Sequence, residues 1–346
     1  MTIVEKTRPI TGGVDTHAEV HVAAAVDGNG GVLGVESFTT TPAGLRELHA
    51  WLAGFGELAR VGVEGTGAYG AGLARYLRSR DLEVIEVDRP NRQLRRRAGK
   101  SDTIDAIEAA RAALSRRASG IAKSADGEVE AIRVLLVARR SARDARIKYL
   151  NQIRQLGFTA PDELRERLRG VSREHLARTA ASLRPTPGTD TVLYATKLAI
   201  RTLGRRVLDL ETDAQRLDQE LETLVRRTAP SLCDVYGVGI HSAAILLVAA
   251  GDNPHRLRNE AAFAHLCGVA PLPASSGKTN RHRLNPAGNR QANHALWRIV
   301  FTRMSSDERT RKYVARRRAE GRTTREIMRV LKRYVAREIY RHLVHN

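Results

Sequence analysis

GVDTHAEVHVAAAVDGNGGVLGVESF, residues 13–38, is the stretch on which the fold turns. Gly13 to Val26 is rich in valine and other small apolar residues, Asp27-Gly28-Asn29-Gly30-Gly31 is a turn, and Val32 to Phe38 returns antiparallel, so the chain opens with a hairpin meander. Thr41-Pro42 then predicts an N-cap with proline at the first helical position, followed by Leu45, Leu48, Trp51 and Leu52 at helical spacing. Arg60 to Val63 predicts a short strand ending at Glu64 and the turn Gly65-Thr66-Gly67. A helix over 69–80, a strand over 84–87 and a helix from about Ser101 complete the series.

Strands first, then helix, strand, helix, strand, helix is the order of a ribonuclease H-like α/β domain. In that arrangement the first and fourth strands lie side by side and the last helix crosses the same sheet edge. Asp15, Glu64 and the pair Asp102 and Asp105 fall at those three places. The two late aspartates, three apart on a helix, share a face. Gathered carboxylates are the hard oxygen donors that magnesium prefers, and two such ions promote in-line displacement at phosphorus. Each acid also has a plainer reading. Asp15 can be a polar strand residue and Glu64 an exposed strand end, while Asp102 and Asp105 can be first-turn acids that favour the helix dipole.

The rest of the composition points to a polyanion. The 346 residues carry 58 Lys and Arg against 38 Asp and Glu, a net charge of +20, and most of the cations are arginine. Such an excess suits phosphate contacts and counterion release. Arg95, Arg96, Arg97 and Lys100 would line the approach to the acids, or form a solvated basic loop. Two cysteines, Cys233 and Cys267, are too few for a disulfide framework or a zinc cluster. No apolar run has signal-peptide or membrane-span length, so a cytoplasmic protein without a membrane partner is expected. Aromatics make up 4% of the chain, which argues against recognition that works mainly by base stacking.

Beyond residue 126 the pattern turns helical. A long amphipathic helix is predicted up to Gly157, and Pro185-Thr186-Pro187-Gly188 is a break. Ile200, Leu203, Val207, Leu210, Ala214, Leu217, Leu221 and Leu224 then form a coiled-coil seam roughly 36 Å long. It fits either a dimer contact or an intramolecular helical hairpin. Three regions are expected: 1–126, 127–229 and 230–346. In the last, Gly237-Val238-Gly239 has helix-hairpin-helix spacing, in which backbone amides at a helix start meet a phosphate; a plain turn between helices is the alternative. Ser276-Gly277 lies in a basic loop with Lys278, Arg281 and Arg283, ahead of Asn289 and Arg290. A serine among cations can attack a phosphodiester, though most Ser-Gly pairs are turns.

Gly13-Val14-Asp15-Thr16-His17, Val63-Glu64-Gly65-Thr66-Gly67, Gly99 to Ala106, the glycine hairpin, Ser276-Gly277 and Gly288-Asn289 together resemble the IS110-family transposases, relatives of the pilin-gene invertase. The resemblance spans nearly the whole chain. It implies a RuvC-like domain in which Asp15, Glu64, Asp102 and Asp105 hold magnesium, two ions in number, with manganese as the alternative. A coiled-coil segment would follow, then a transposase domain in which Ser276 becomes joined to DNA. It further implies a bridge RNA pairing with donor and target DNA, and a dimer or tetramer. The chain departs from the family at Tyr236, where proline is common, and at Ser275, which adjoins the expected nucleophile. A RuvC-like nuclease using water as nucleophile is the rival enzyme, and a nucleic-acid packaging protein the non-catalytic one.

Overall fold

The computed structural model describes residues 8–87, 101–118, 120–188, 190–275 and 282–344. The chain divides into two compact units, one of residues 1–127 with 250–263 and one of residues 128–249 with 264–346.

The first unit is built on a six-stranded mixed sheet. Its strands are β1 (Pro9–Thr16), β2 (Val20–Val26), β3 (Val32–Thr39), β4 (Glu57–Glu64), β5 (Glu83–Val87) and β6 (Gly120–Ile121), in the order β3-β2-β1-β4-β5-β6. The stretch from Gly13 to Val26 is two strands, because the chain reverses at His17–Glu19 and Thr16 pairs with His21. β1 and β4 run parallel, as do β4 and β5, while β6 closes the edge antiparallel. This mixed sheet with its helices is compatible with a ribonuclease H-like domain.

Alternation along the strands gives each face a different cover. On one face Val14, Val61 and Val63 pack with Leu45, Leu48 and Leu52 of α1 (Pro42–Ala53) and Leu73 and Leu77 of α2 (Ala71–Arg78). Thr41 caps α1 as expected, its Oγ1 accepting from the Gly44 amide at 3.2 Å. The other face meets α3 (Asp102–Leu114), whose buried side is Ala106, Ala109, Ala110 and Ala113. Beneath them lie Gly13 and Gly62. A Cβ at Gly13 would overlap the backbone of Ala106 and Ala110, and one at Gly62 the carbonyl of Ala109. Helix and sheet therefore touch backbone to backbone. Residues 250–263 return to this unit through Asn253, whose Oδ1 accepts from the Ser124 amide at 3.1 Å and whose Nδ2 donates to the Ala122 carbonyl at 3.0 Å.

The second unit is helical. α4 (Glu128–Phe158) is followed by α5 (Asp162–Leu168), α6 (Arg173–Ala181) and α7 (Thr191–Thr228). α4 and α7 run antiparallel along each other. Arg146 Nε donates to Glu211 Oε1 at 2.7 Å, Arg139 pairs with Asp218, and Thr228 Oγ1 donates to Glu128 Oε2 at 2.8 Å. Leu150 and Ile153 share a core with Ile200 and Val207, closed by Leu164, Leu176, Ala180 and Leu183. Of the anticipated seam, Ile200, Val207 and Leu221 are buried and Leu203, Leu210, Ala214, Leu217 and Leu224 half-buried. The apolar stripe thus packs largely within its own chain.

The remaining elements are α8 (Pro230–Cys233), α9 (Ile240–Ala250), α10 (Glu260–Leu266), the two-residue pair β7 (Leu272–Pro273) and β8 (His282–Arg283), α11 (Arg290–Ser306), α12 (Glu308–Ala319) and α13 (Thr324–Val344). The arginines at 316–318 lie in the last turn of α12, an ordered helix, where Arg316 and Arg317 pair with Glu320. Among the described residues, no helix is long and apolar enough to cross a membrane.

Candidate metal centre and basic-loop root

The β1–β4 register pairs Val14 with Val63, so Asp15 and Glu64 are next to each other along parallel strands. By alternation both lie on the face that carries Gly13 and Gly62, the face covered by α3. Thr16 Oγ1 ties the two strand ends together by donating to the Glu64 carbonyl at 2.8 Å. β4 then turns sharply at Gly65, φ +73°, and Thr66 Oγ1 donates to Glu86 Oε1 at 2.9 Å.

Asp102 and Asp105 occupy the first turn of α3, where negative charge is favoured by the helix dipole. They also reach the sheet. His17 Nε2 donates to Asp15 Oδ2 at 3.2 Å and lies 3.4 Å from Asp102 Oδ2. Asp15, His17 and Asp102 each offer one ligand atom, all within 4.8 Å of one another. Asp15 is 7% exposed and Asp105 3%. Burial pushes the Asp15 carboxyl above its ordinary range; His17 opposes that shift, and the charges of Asp105 and Asp102 add to it.

Asp15 and Asp105 are buried, whereas the Asp102 and His17 side chains stay open to solvent at 47% and 40% exposure. The donor set of carboxylate oxygens and a single imidazole nitrogen suits a divalent cation. His17 is the member that the sequence reading passed over. Its signal is the two-residue spacing from Asp15, which puts both at one strand end. The cations expected beside the acids, Arg95, Arg96, Arg97 and Lys100, lie outside the described residues.

In the second unit, Gly237 has φ +82°, and a Cβ there would meet Arg303 Cγ at 3.3 Å. The short α8, this turn and α9 make the glycine hairpin. Arg303 braces it: Nε donates to the Tyr236 carbonyl at 2.9 Å, while Nη1 and Nη2 hold Glu338 at 2.7 and 3.2 Å. Gly239 is exposed just before α9.

Three asparagines hold the root of the basic loop. Asn289 Oδ1 caps α11, accepting from Gln291 and Ala292 at 3.0 Å, and its amide donates to the Leu266 carbonyl at 2.7 Å. Asn285 Nδ2 donates to the His265 carbonyl at 3.1 Å, and Asn293 Nδ2 to that of Cys267 at 2.9 Å. Gly288 packs on Gly268 so closely that a Cβ would overlap that backbone. Leu272 pairs with Arg283 and Pro273 with His282. Arg283 and Arg290 are exposed at this root. Ser276, Lys278 and Arg281 lie outside the described residues.

Family models match two stretches of the chain, the first extending from the sheet along most of α4. Residues 12–156 match a DEDD transposase model of the IS110 type, and residues 229–315 match a transposase model of the IS116/IS110/IS902 family. The 43.6 kDa protein of insertion element IS110 from Streptomyces coelicolor is 29% identical over 154 residues, 43% of this chain and 37% of that protein. The 42 kDa protein of insertion element IS900 from Mycobacterium paratuberculosis is 25% identical over 180 residues, 48% of this chain and 45% of that protein. The chain thus spans less than half the length of these curated relatives. With one family model on the sheet and its acids and another on the hairpin and loop root, the chain belongs to the IS110 family of transposases.

Proposed function

We propose that this protein cuts and rejoins DNA strands through a covalent bond between Ser276 and DNA, guided by a bridge RNA and dependent on magnesium. The observation that carries the reading is the meeting of Asp15, His17 and Asp102 at the end of central strand β1, beside buried Asp105 and adjacent to Glu64. Asp15, Glu64, Asp102 and Asp105 hold the ion or ions, with His17 orienting two of the carboxylates. A bound divalent ion supplies positive charge that stabilises a phosphorane-like transition state and favours an ionised attacking oxygen.

The chain's own part in the reaction is nucleophile and placement. The Ser276 oxygen forms a bond to phosphorus as the bond from phosphorus to the 3′ oxygen breaks, and the proton lost by the serine is matched by one gained at the released 3′ hydroxyl. Lys278, Arg281, Arg283 and Arg290 offset the phosphate charge, and Gly237 and Gly239 let backbone amides approach the strand. RNA pairing supplies sequence choice, so the protein needs mainly phosphate and shape contacts. Reaction within a dimer or tetramer is part of this reading, with the partly exposed stretches of α7 available to a second copy. The regions 1–126, 127–229 and 230–346 would then act as ion-binding, spacing and strand-transferring parts of a cytoplasmic enzyme.

The test is a protein–DNA adduct that survives denaturation, formed with the element's RNA and magnesium. It should vanish with Ser276→Ala and persist with Ser275→Ala. An adduct undiminished in Ser276→Ala rejects this serine. Cleavage to free 5′-phosphate ends without any adduct would instead assign the protein to the nucleases that use water.

A further inference from the structure

The few aromatic residues are not used alike. Phe38, Trp51 and Phe55 pack on one another at 5.6 and 4.9 Å between centroids, against the core of the first unit. On α11, His294, Trp297 and Phe301 instead form a stack: 5.5 Å and 23° between the first two rings, 5.3 Å and 21° between the last two. Their positions, spaced by three and four, lie on one helix face. That face is open, with Trp297 38% and Phe301 57% exposed. The helix's core needs are met on its other side by Ala292, Ala295, Leu296, Ile299 and Val300.

The charge that α11 itself carries beside the ladder has one sign. Arg290 precedes His294 by four residues and continues the same line, Arg298 flanks it one turn from both His294 and Phe301, and both arginines are exposed. None of the 17 residues of α11 is Asp or Glu. A second copy docking here by two-fold symmetry would bring two sets of exposed arginines to one interface with no acid of either α11 to offset them. A partner with flat apolar faces joined by negative charge has no such conflict.

We propose that His294, Trp297 and Phe301 form a stacking platform for unpaired bases of a nucleic acid strand, with Arg290 and Arg298 on its phosphates. Every base offers a π face, so such a platform accepts a single strand of any sequence and rejects a duplex whose bases are already stacked. The inference rests on the nucleic-acid reading above and adds to it where an unpaired segment is held.

The experiment uses the full-length chain, in which Trp51 and Trp297 are the two tryptophans. In a Trp51→Phe variant the emission of Trp297 is read while a short oligothymidylate is added, then a duplex of equal length. Quenching by the single strand and little by the duplex is expected. Trp297→Ala and Phe301→Ala should each weaken oligothymidylate binding roughly 10-fold and duplex binding less than about 2-fold, with Trp297→Phe close to the parent. Absence of quenching, or equal losses for both probes, overturns the proposal. So does unchanged strand binding together with loss of an oligomer seen in sedimentation, which would give the face to a second copy. No ion, RNA or covalent step is required. Strand binding that persists in Ser276→Ala without any adduct in the parent would sink the reaction and leave the platform standing.

Discussion

Glycine sets the closest approach in both units, but in different company. In the first, Gly13 and Gly62 sit inside regular strands and let α3 rest on the sheet, carrying Asp102 and Asp105 to Asp15. In the second, Gly268 and Gly288 meet where two loops touch, and asparagine amides do the rest of the positioning. A site held by repeating elements is fixed by backbone geometry along a whole helix. A loop root held by a few side-chain amides depends on each of them.

The largest effect that tests this contrast is expected from Asp15→Asn. Adduct formation should fall by about 10³-fold or more, the scale for loss of a central transition-state group. Melting without divalent ions should be unchanged or raised, because the buried carboxylate is disfavoured by burial and by Asp105 and Asp102. A large drop in melting temperature would mean that the acids serve the fold.

Gly13→Ala and Gly288→Ala form the next pair. Each adds a methyl where backbone already stands, and a loss of about 1–3 kcal/mol in stability is expected from denaturant unfolding. Their functional readouts should part: Gly13→Ala weakens divalent-ion binding by calorimetry, whereas Gly288→Ala leaves it intact and lowers adduct formation. If both variants lose ion binding equally, the contrast is broken.

His17→Ala should weaken ion affinity by roughly 10-fold to 100-fold, the range seen when a partner that orients metal ligands is lost. His17→Gln should recover part of it, since its amide can still donate to Asp15. Equal affinity in parent and alanine variant would remove His17 from the centre.

The smallest effect is a pH dependence in the second unit. Burial, aided by Arg139, lowers His241 to about 4, and among the described residues its buried Nδ1 has no hydrogen-bond partner. The folded value lies below the unfolded one, so the unfolded chain takes up the proton first. Stability therefore falls as pH drops from about 6.5 towards 4. His241→Gln should flatten that part of the stability profile measured by urea unfolding; an unaltered slope would assign it to another group.

The element order over residues 13–105 and the adjacency of the first and fourth strands could be read because hairpin turn, helix cap and strand periodicity are local signals that agree with each other, whereas the two-residue β6 carries no such signal. The convergence of Asp15, Asp102 and Asp105 followed from that order. His17 escaped because a histidine beside an aspartate carries no periodic signal, and because the chain reverses immediately after it instead of continuing as one strand. The seam of α7 was visible, but a heptad pattern does not say which helix fills its groove; α4 does so here. The side chains of Asn285 and Asn293, and the backbone amide of Asn289, bond to carbonyls remote in sequence, which no spacing announces. The ladder on α11 was hidden by averaging: a low aromatic fraction says nothing about three rings gathered on one face.

The α4–α7 pair has a further consequence. Glu128, at the start of one helix, is bonded to Thr228 and Arg227 at the end of the other. A hundred residues therefore leave and come back to one place, so the antiparallel pair closes on itself like a clasp. Equal numbers of turns removed from both helices would shorten the pair while leaving the Glu128–Thr228 clasp in register.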